Sequence, residues 1–150
     1  MMEQNALSLP PAIEHVLSRF RSLEREEKMQ ALVSYAKKLE PLPERFASLD
    51  RTGHTVHECQ TRVDLFSEVQ DGKMHFWADV NVRQSPTVAA FLSITLSAVN
   101  DQPPSTTLAI PADFVGVMMS GLGLSAREAG LNGLVSRLKR EARTALDSGA

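Results

Sequence analysis

Residues 63–80 read VDLFSEVQDGKMHFWADV, and this stretch decides the fold class. Apolar residues recur with a period of two on both sides of its centre: Val63, Leu65 and Val69 before it, then Met74, Phe76, Ala78 and Val80 after it. Asp71-Gly72 stands between the two halves, and this dipeptide favours a tight turn between antiparallel strands. The stretch therefore predicts a β-hairpin.

Two amphipathic helices are predicted before the hairpin. Their apolar residues repeat at helical spacing: Ile13, Val16, Leu17 and Phe20, then Met29, Leu32, Val33 and Ala36. Pro10-Pro11 favours the start of the first helix, and Pro41 and Pro43 end the second. We expect the two helices to form an antiparallel pair joined near residues 22–25, followed by a loop over about 42–53.

Three helices are predicted after the hairpin. The first follows Ser85-Pro86, and a short one covers about residues 112–120. The last begins at Ser125, where Ser-x-x-Glu with Glu128 predicts a capping box. Its apolar stripe is Leu131, Leu134, Val135, Leu138, Ala142 and Ala145. Helices, a small antiparallel sheet and further helices in this order predict an α+β domain.

The composition argues against a nucleic-acid-binding, membrane-spanning or secreted protein. The net charge of -2 over 150 residues gives no electrostatic case for nucleic acid. We expect the basic residues near the C-terminus to form a solvated helix face: Arg137, Lys139, Arg140 and Arg143. No apolar run is long enough for a membrane span, and MMEQNALSLPP lacks the basic-then-apolar order of a signal peptide. A single cysteine excludes an intramolecular disulfide, so we expect the reducing cytoplasm.

That cysteine, Cys59, lies among polar side chains in VHECQTRV, residues 56–63. In an extended segment His57 and Cys59 share a face. An imidazolium close to a thiol favours the thiolate, which is the reactive form. The alternative is that Cys59 is a small buried hydrophobe, as many free cysteines are.

Three other interpretations of the segment stay open. His54-x-x-His57-x-Cys59 offers three metal ligands, whereas a structural zinc site usually has four. A Cys–His hydrolase needs a base and an orienting group, and no oxyanion-loop signature accompanies Cys59. The third is a non-catalytic interaction module. Gly121-Leu122-Gly123 is typical of a turn, since no strand precedes it.

From about Leu9 to Ala142 the chain resembles the SufE family. The family motif Val-x-Gly-Cys-Gln-Ser stands here as Val56-His57-Glu58-Cys59-Gln60-Thr61. Three further segments are similar to the family's: Leu39–Glu44, Phe76–Asp79, and Leu124–Arg127 with Gly130-Leu131. The chain departs from the pattern where Glu58 replaces Gly and Thr61 replaces Ser. Glu58 places a carboxylate beside the thiol.

The resemblance implies a fold and a site. The fold is α+β and similar to SufE and IscU, with a small antiparallel sheet of about three strands packed against N-terminal and C-terminal helices. It implies one domain over residues 1–150, with its core over about 9–146. Cys59 is the implied persulfide carrier. The motif fixes no residue at position 57, so the activating role of His57 is expected from its spacing to Cys59 alone. Gln60 and Thr61 form hydrogen bonds to the loop or to the persulfide. Arg127 contacts a partner or braces the loop, and a structural salt bridge is the alternative.

The resemblance also implies partners. A SufS-like cysteine desulfurase donates sulfur to Cys59 and is stimulated by the transfer, and a SufBCD-like scaffold complex receives the sulfur for iron–sulfur cluster assembly. The chain is then a sulfur-transfer accessory protein rather than a stand-alone enzyme. It binds no cofactor and no metal itself, because pyridoxal phosphate belongs to the desulfurase. No nucleic-acid or membrane partner is implied.

Overall fold

The computed structural model describes residues 9–57, 61–123 and 125–149. Its elements follow in this order: α1 (Pro11–Ser22), α2 (Arg25–Ala36), α3 (Glu44–Ala47), β1 (Asp64–Gln70), β2 (Lys73–Asp79), α4 (Pro86–Val99), α5 (Pro104–Leu108), α6 (Phe114–Met119) and α7 (Ser125–Asp147). The predicted α+β class is confirmed. Two short helices were not predicted: α3 lies within the expected loop, and α5 lies between the first and second of the three helices expected after the hairpin.

The hairpin forms with the expected turn. Its strands pair antiparallel from Asp64 opposite Asp79 to Gln70 opposite Lys73. Asp71 and Gly72 have φ angles of 55° and 77°, and two positive φ angles match the right-handed twist of the strands.

Within the described residues the sheet has two strands, where about three were expected. The place beside the free edge of β1 is taken by residues 54–56, which pair through one bridge, Thr55 to Asp64. One bridge is too short a ladder to make a strand.

The main core forms around α4. This helix is buried on nearly every side and packs against α1, α2, α5 and β2. Leu65, Met74, Phe76 and Ala78 of the hairpin join the same core. A helix that is apolar around most of its circumference is stable only when other elements surround it, which explains the central position of α4.

The first two helices do not form the predicted pair. Instead α2 packs mainly on α4, and α1 packs on α4 and α6. The stripe predicted for α2 is also wrong in part, because Met29 is 44% exposed and Val33 is 57% exposed. The buried positions of α2 are Lys28, Leu32 and Ala36.

The contacts of Lys28 explain why α2 buries a different face from the predicted one. Its ammonium group donates hydrogen bonds to the carbonyl oxygens of Val117, at 3.2 Å, and Ser120, at 2.9 Å. These carbonyls lie at the C-terminal end of α6, where no following helical turn supplies a donor. Burial lowers the pKa of Lys28, and the two carbonyl contacts compensate part of the lost hydration.

A second, smaller core covers the outer face of the hairpin. It consists of Phe46 from α3, Phe66 from β1 and Trp77 from β2. The ring of Phe46 lies 4.9 Å from that of Phe66 and 5.1 Å from that of Trp77. Through this cluster the hairpin holds the segment between α2 and β1 in place.

Within the described residues, no helix combines the length and apolar character that a bilayer span requires.

Candidate functional site

The chain enters and leaves the cysteine segment at a hydrogen-bonded pair. The N–H of Val56 donates to the carbonyl of Val63, and the N–H of Leu65 donates to the carbonyl of His54, both at 2.8 Å. Val56 and Val63 are buried. We call residues 53–56 and 63–65 the stem. Glu58, Cys59 and Gln60 lie outside the described residues. The stem is the described part of the chain on either side of this cysteine segment.

A buried carboxylate ties the two arms of the stem together. Asp64 Oδ1 accepts a hydrogen bond of 2.5 Å from the Thr55 hydroxyl. Asp64 Oδ2 accepts from Arg51 at 2.9 Å and from Arg62 at 3.3 Å. Arg51 also donates to Asp79 at 2.6 Å, which adds the end of β2 to the cluster. The Asp64 side chain is only 3% exposed.

Asp64 stays ionised because its partners outweigh its burial. Burial by itself raises the pKa of a carboxyl group, since it disfavours the charged form. The hydrogen bonds from Thr55 and Arg51 and the charge of Arg62 act in the opposite direction, and the pKa of Asp64 lies below its ordinary value of 3.8. The stem therefore carries a charged tie at neutral pH.

Arg137 of α7 holds the first arm of the stem from outside the hairpin. One guanidinium nitrogen donates to the carbonyl of Thr55 at 3.1 Å, and the other donates to the carbonyl of Gly53. Its Nε donates to Glu141 at 3.4 Å. The Arg137 side chain is 5% exposed, so its predicted place on a solvated face is wrong.

The remaining residues of that predicted basic face divide into two groups. Arg140 and Arg143 are exposed, as expected. Lys139 is half-buried and donates to the carbonyl of Ile110 at 2.5 Å, and burial lowers its pKa. The sequence of the last helix contained a signal for the burial of Arg137. Position 137 is three residues after Leu134 and therefore lies on the edge of the apolar stripe.

The structure places three of the predicted site residues. His57 follows the first arm of the stem and is exposed. Thr61 is half-buried, and its hydroxyl oxygen accepts a hydrogen bond of 3.3 Å from the Ser85 hydroxyl at the start of α4. Arg127 is exposed on α7, and within the described residues no hydrogen bond joins it to the stem. Cys59 and Gln60 lie outside the described residues, and the roles of all five stay predictions.

His54 has a structural position beside the stem. Its Nδ1 lies 3.0 Å from the carbonyl oxygen of Leu65, and its ring stacks on Phe66 at 4.4 Å. Among the described residues, no three His, Cys, Asp or Glu side chains converge as a metal site would require. Through Phe66, His54 thus packs against the second, smaller core of the hairpin.

A polar cleft of about 680 Å³ lies next to the stem. Arg51, Thr61, Asp79 and Ser85 are among the residues that line it. Because Thr61 stands two residues after Cys59, this cleft lies close to the thiol along the chain. Its lining of charged and hydroxyl groups suits polar contacts with a partner.

Fold and stem together define a class: an α+β domain that carries its one cysteine on a short connection between two hydrogen-bonded arms. The sequence matches the SufE family, described as an Fe-S metabolism associated domain, over residues 14–142. The chain belongs to the SufE family, as its resemblance indicated. The family description supports a role in iron–sulfur metabolism.

Relatives cover almost the whole chain. An uncharacterised SufE-like protein of Mycobacterium tuberculosis, found in two strains, is 31% identical over an alignment of 146 residues that covers 92% of this chain and 96% of the relative. A SufE-like protein of Synechocystis is 24% identical over 133 residues, 88% of this chain and 79% of the relative. The solution structure of a hypothetical protein from Thermus thermophilus has a TM-score of 0.79 and 30% identity, covering 93% of this chain and 99% of that one.

Proposed function

We propose that this protein is a sulfur acceptor of iron–sulfur cluster assembly. It takes persulfide sulfur from a SufS-like cysteine desulfurase onto Cys59, which stimulates the desulfurase, and passes the sulfur to a SufBCD-like scaffold complex. One observation carries the proposal. The only cysteine of a SufE-family chain stands three residues after Val56 in the sequence, between the two arms of a stem that buried Asp64 ties together.

The chemistry is a thiol exchange without net oxidation. The Cys59 thiolate attacks the outer sulfur of the donor's persulfide, R–S–SH. A new S–S bond forms on Cys59, the donor's S–S bond breaks, and the donor leaves as the thiolate R–S⁻. The products are Cys59–S–SH and a desulfurase ready for another turnover. The rate of such a step depends on the thiolate fraction, its nucleophilicity and its access.

The described residues support this step in two ways. Exposed His57 stands two residues before Cys59 and is available to assist thiolate formation. Thr61, held by Ser85, fixes the chain on the other side of the cysteine. We assign Gln60 to positioning the persulfide and Arg127 to a partner contact. The step needs no cofactor on this chain, because pyridoxal phosphate acts on the desulfurase.

The proposal also includes the compartment. A persulfide carrier needs its thiol reduced between transfers, and the cytoplasm keeps thiols reduced. The single cysteine agrees with this, because no second thiol in the chain competes to form an internal disulfide with Cys59.

Intact-mass spectrometry after incubation with a cysteine desulfurase and cysteine tests the proposal. We expect a gain of one sulfur, about 32 Da, that dithiothreitol removes, since a thiol attacks the new S–S bond. Cys59→Ser should keep the circular-dichroism spectrum of the wild type and gain no mass. Sulfur on the serine variant, or none on the wild type, would contradict a carrier role for Cys59.

A further inference from the structure

We propose that Arg137 is a positioning residue for sulfur transfer, because it holds the arm of the stem that leads to Cys59. The inference rests on the proposed function for its chemical consequence, but its structural part concerns described residues only. Arg137 lies 78 positions after Cys59 in the chain, on a different element. It belongs to no segment that the family resemblance rests on.

The contacts of Arg137 are aimed at the backbone of the arm. It donates to the carbonyls of Gly53 and Thr55, which stand two residues apart at the start of the first arm. A guanidinium fork presents planar, parallel N–H groups and can serve both oxygens together, whereas an ammonium group is a single point charge. The arm is therefore fixed in direction as well as in distance.

Arg137 also sets the arm relative to the hairpin. Its Nε donates to Glu141 Oε2 at 3.4 Å, and Glu141 Oε1 accepts a hydrogen bond from the Ser67 hydroxyl of β1, also at 3.4 Å. One turn of α7 thus contacts both the first arm and β1. Asp64, in contrast, acts on the stem through the side chains of Thr55, Arg51 and Arg62.

The burial of Arg137 indicates which kinetic parameter of sulfur transfer this residue affects. A side chain that is 5% exposed has almost no surface to offer a partner, so its loss removes no direct docking contact. The arm direction governs instead how well the thiolate meets the donor's persulfide once docked, and reactions of this kind are sensitive to small misplacements. Arg137 therefore acts on the maximal rate rather than on the half-saturating desulfurase concentration.

Amide hydrogen exchange on the isolated protein tests the structural part. In Arg137→Met we expect the Val56 N–H, which bonds to Val63, to exchange at least about tenfold faster, which equals about 1.4 kcal/mol. The reference is the Met74 N–H, which bonds to Gln102 at 2.9 Å near the other end of the hairpin. Arg140→Met removes the same charge from an exposed position of the same helix and should leave both amides unchanged. If the ratio of Val56 to Met74 exchange stays at its wild-type value, Arg137 is only a general stabiliser and the inference is wrong.

Sulfur loading of Cys59 at varied desulfurase concentration tests the chemical part. We expect Arg137→Met to lower the maximal loading rate about tenfold or more and to change the half-saturating concentration less than about twofold. Arg140→Met should load as the wild type does. A change in the half-saturating concentration alone would mean that Arg137 serves docking, and it would overturn the inference.

Arg137→Lys decides the case if the methionine variant unfolds. Lysine keeps the charge and replaces the fork by one ammonium group, so we expect a loading rate and a Val56 exchange rate between those of the wild type and Arg137→Met. A lysine variant equal to the wild type in both would refute the need for a two-carbonyl contact. Failure of the sulfur-acceptor function itself has a different signature: the wild type loads no sulfur, while the exchange result for Arg137 is unaffected.

Discussion

The two ends of the hairpin are both tied by charged side chains, but with different chemistry. At the open end, beside the cysteine segment, Arg51 bridges Asp64 and Asp79. Towards the turn, His75 lies between two carboxylates, with Nε2 at 2.8 Å from Glu40 and Nδ1 at 3.0 Å from Asp101. Glu40 also accepts a hydrogen bond of 2.9 Å from the Trp77 indole.

The difference lies in the cation. The guanidinium of Arg51 is charged at every physiological pH, so the open end keeps its ties throughout the neutral range. A neutral imidazole donates only one hydrogen bond, and His75 can serve both Glu40 and Asp101 only when doubly protonated. Burial opposes the charged form of His75, but the hydrogen bonds to Asp101 and Glu40 outweigh it and raise its pKa above 6.5. The ion pairs of Arg51 are thus insensitive to pH in the neutral range, while the contacts of His75 respond to it.

Asp64→Asn should have the largest effect on stability. It removes the charge of a buried group on which two arginines and a hydroxyl converge. We expect a loss of about 2–3 kcal/mol in the free energy of unfolding near pH 7, measured by urea denaturation. The matched control is Asp79→Asn, which contacts the same arginine but is 46% exposed and should cost less than about 1 kcal/mol.

The pH dependence of the Asp64→Asn loss sharpens this test. The folded pKa of Asp64 is lowered, so its stabilisation is fully present above the unfolded value of 3.8 and is lost as pH falls through the folded pKa. The difference between wild type and variant should therefore be constant through the neutral range and shrink only in acid. Equal losses for Asp64→Asn and Asp79→Asn would show that burial does not distinguish these carboxylates.

His75→Gln should have a smaller, pH-dependent effect. The folded pKa of His75 is raised, so its stabilisation is fully present below 6.5 and is lost as pH rises through the folded pKa. We expect a loss of about 1 kcal/mol near pH 6 that declines towards pH 9, since both partner carboxylates are exposed. Thermal unfolding at several pH values measures it, with exposed His15→Gln as control. A loss of stability that does not decline with rising pH would mean that the charge of His75 does not contribute to the free energy of unfolding.

Glu68→Gln should have the smallest effect. Glu68 pairs with Arg45 through two hydrogen bonds, at 2.8 Å and 3.2 Å, but the side chains are 46% and 56% exposed. Exposed pairs gain little because water screens the charges and the side chains lose freedom. We expect no measurable change in the urea midpoint at physiological salt. A loss comparable to that of Asp64→Asn would contradict the conclusion that burial, rather than proximity alone, makes an ion pair stabilising.

Local sequence alone determined much of the framework. The hairpin followed from a period of two around Asp71-Gly72, because side-chain alternation and turn dihedrals depend only on near neighbours. Helices α1, α4 and α7 followed from apolar stripes and their start signals for the same reason. The segment around Cys59 was identified from one motif, since a lone thiol among polar residues is visible without any coordinates.

Tertiary structure decided the rest, and Lys28 and Arg137 show why. Both are long cationic side chains, a type that usually lies in solvent, although position 137 borders the apolar stripe of α7. Each is buried because carbonyl oxygens distant in the chain lack other donors: Val117 and Ser120 for Lys28, Gly53 and Thr55 for Arg137. These partners lie more than 80 residues away, beyond the reach of any local pattern. A periodic pattern records which residues avoid water, whereas the need of a particular carbonyl for a donor exists only after the helices have packed.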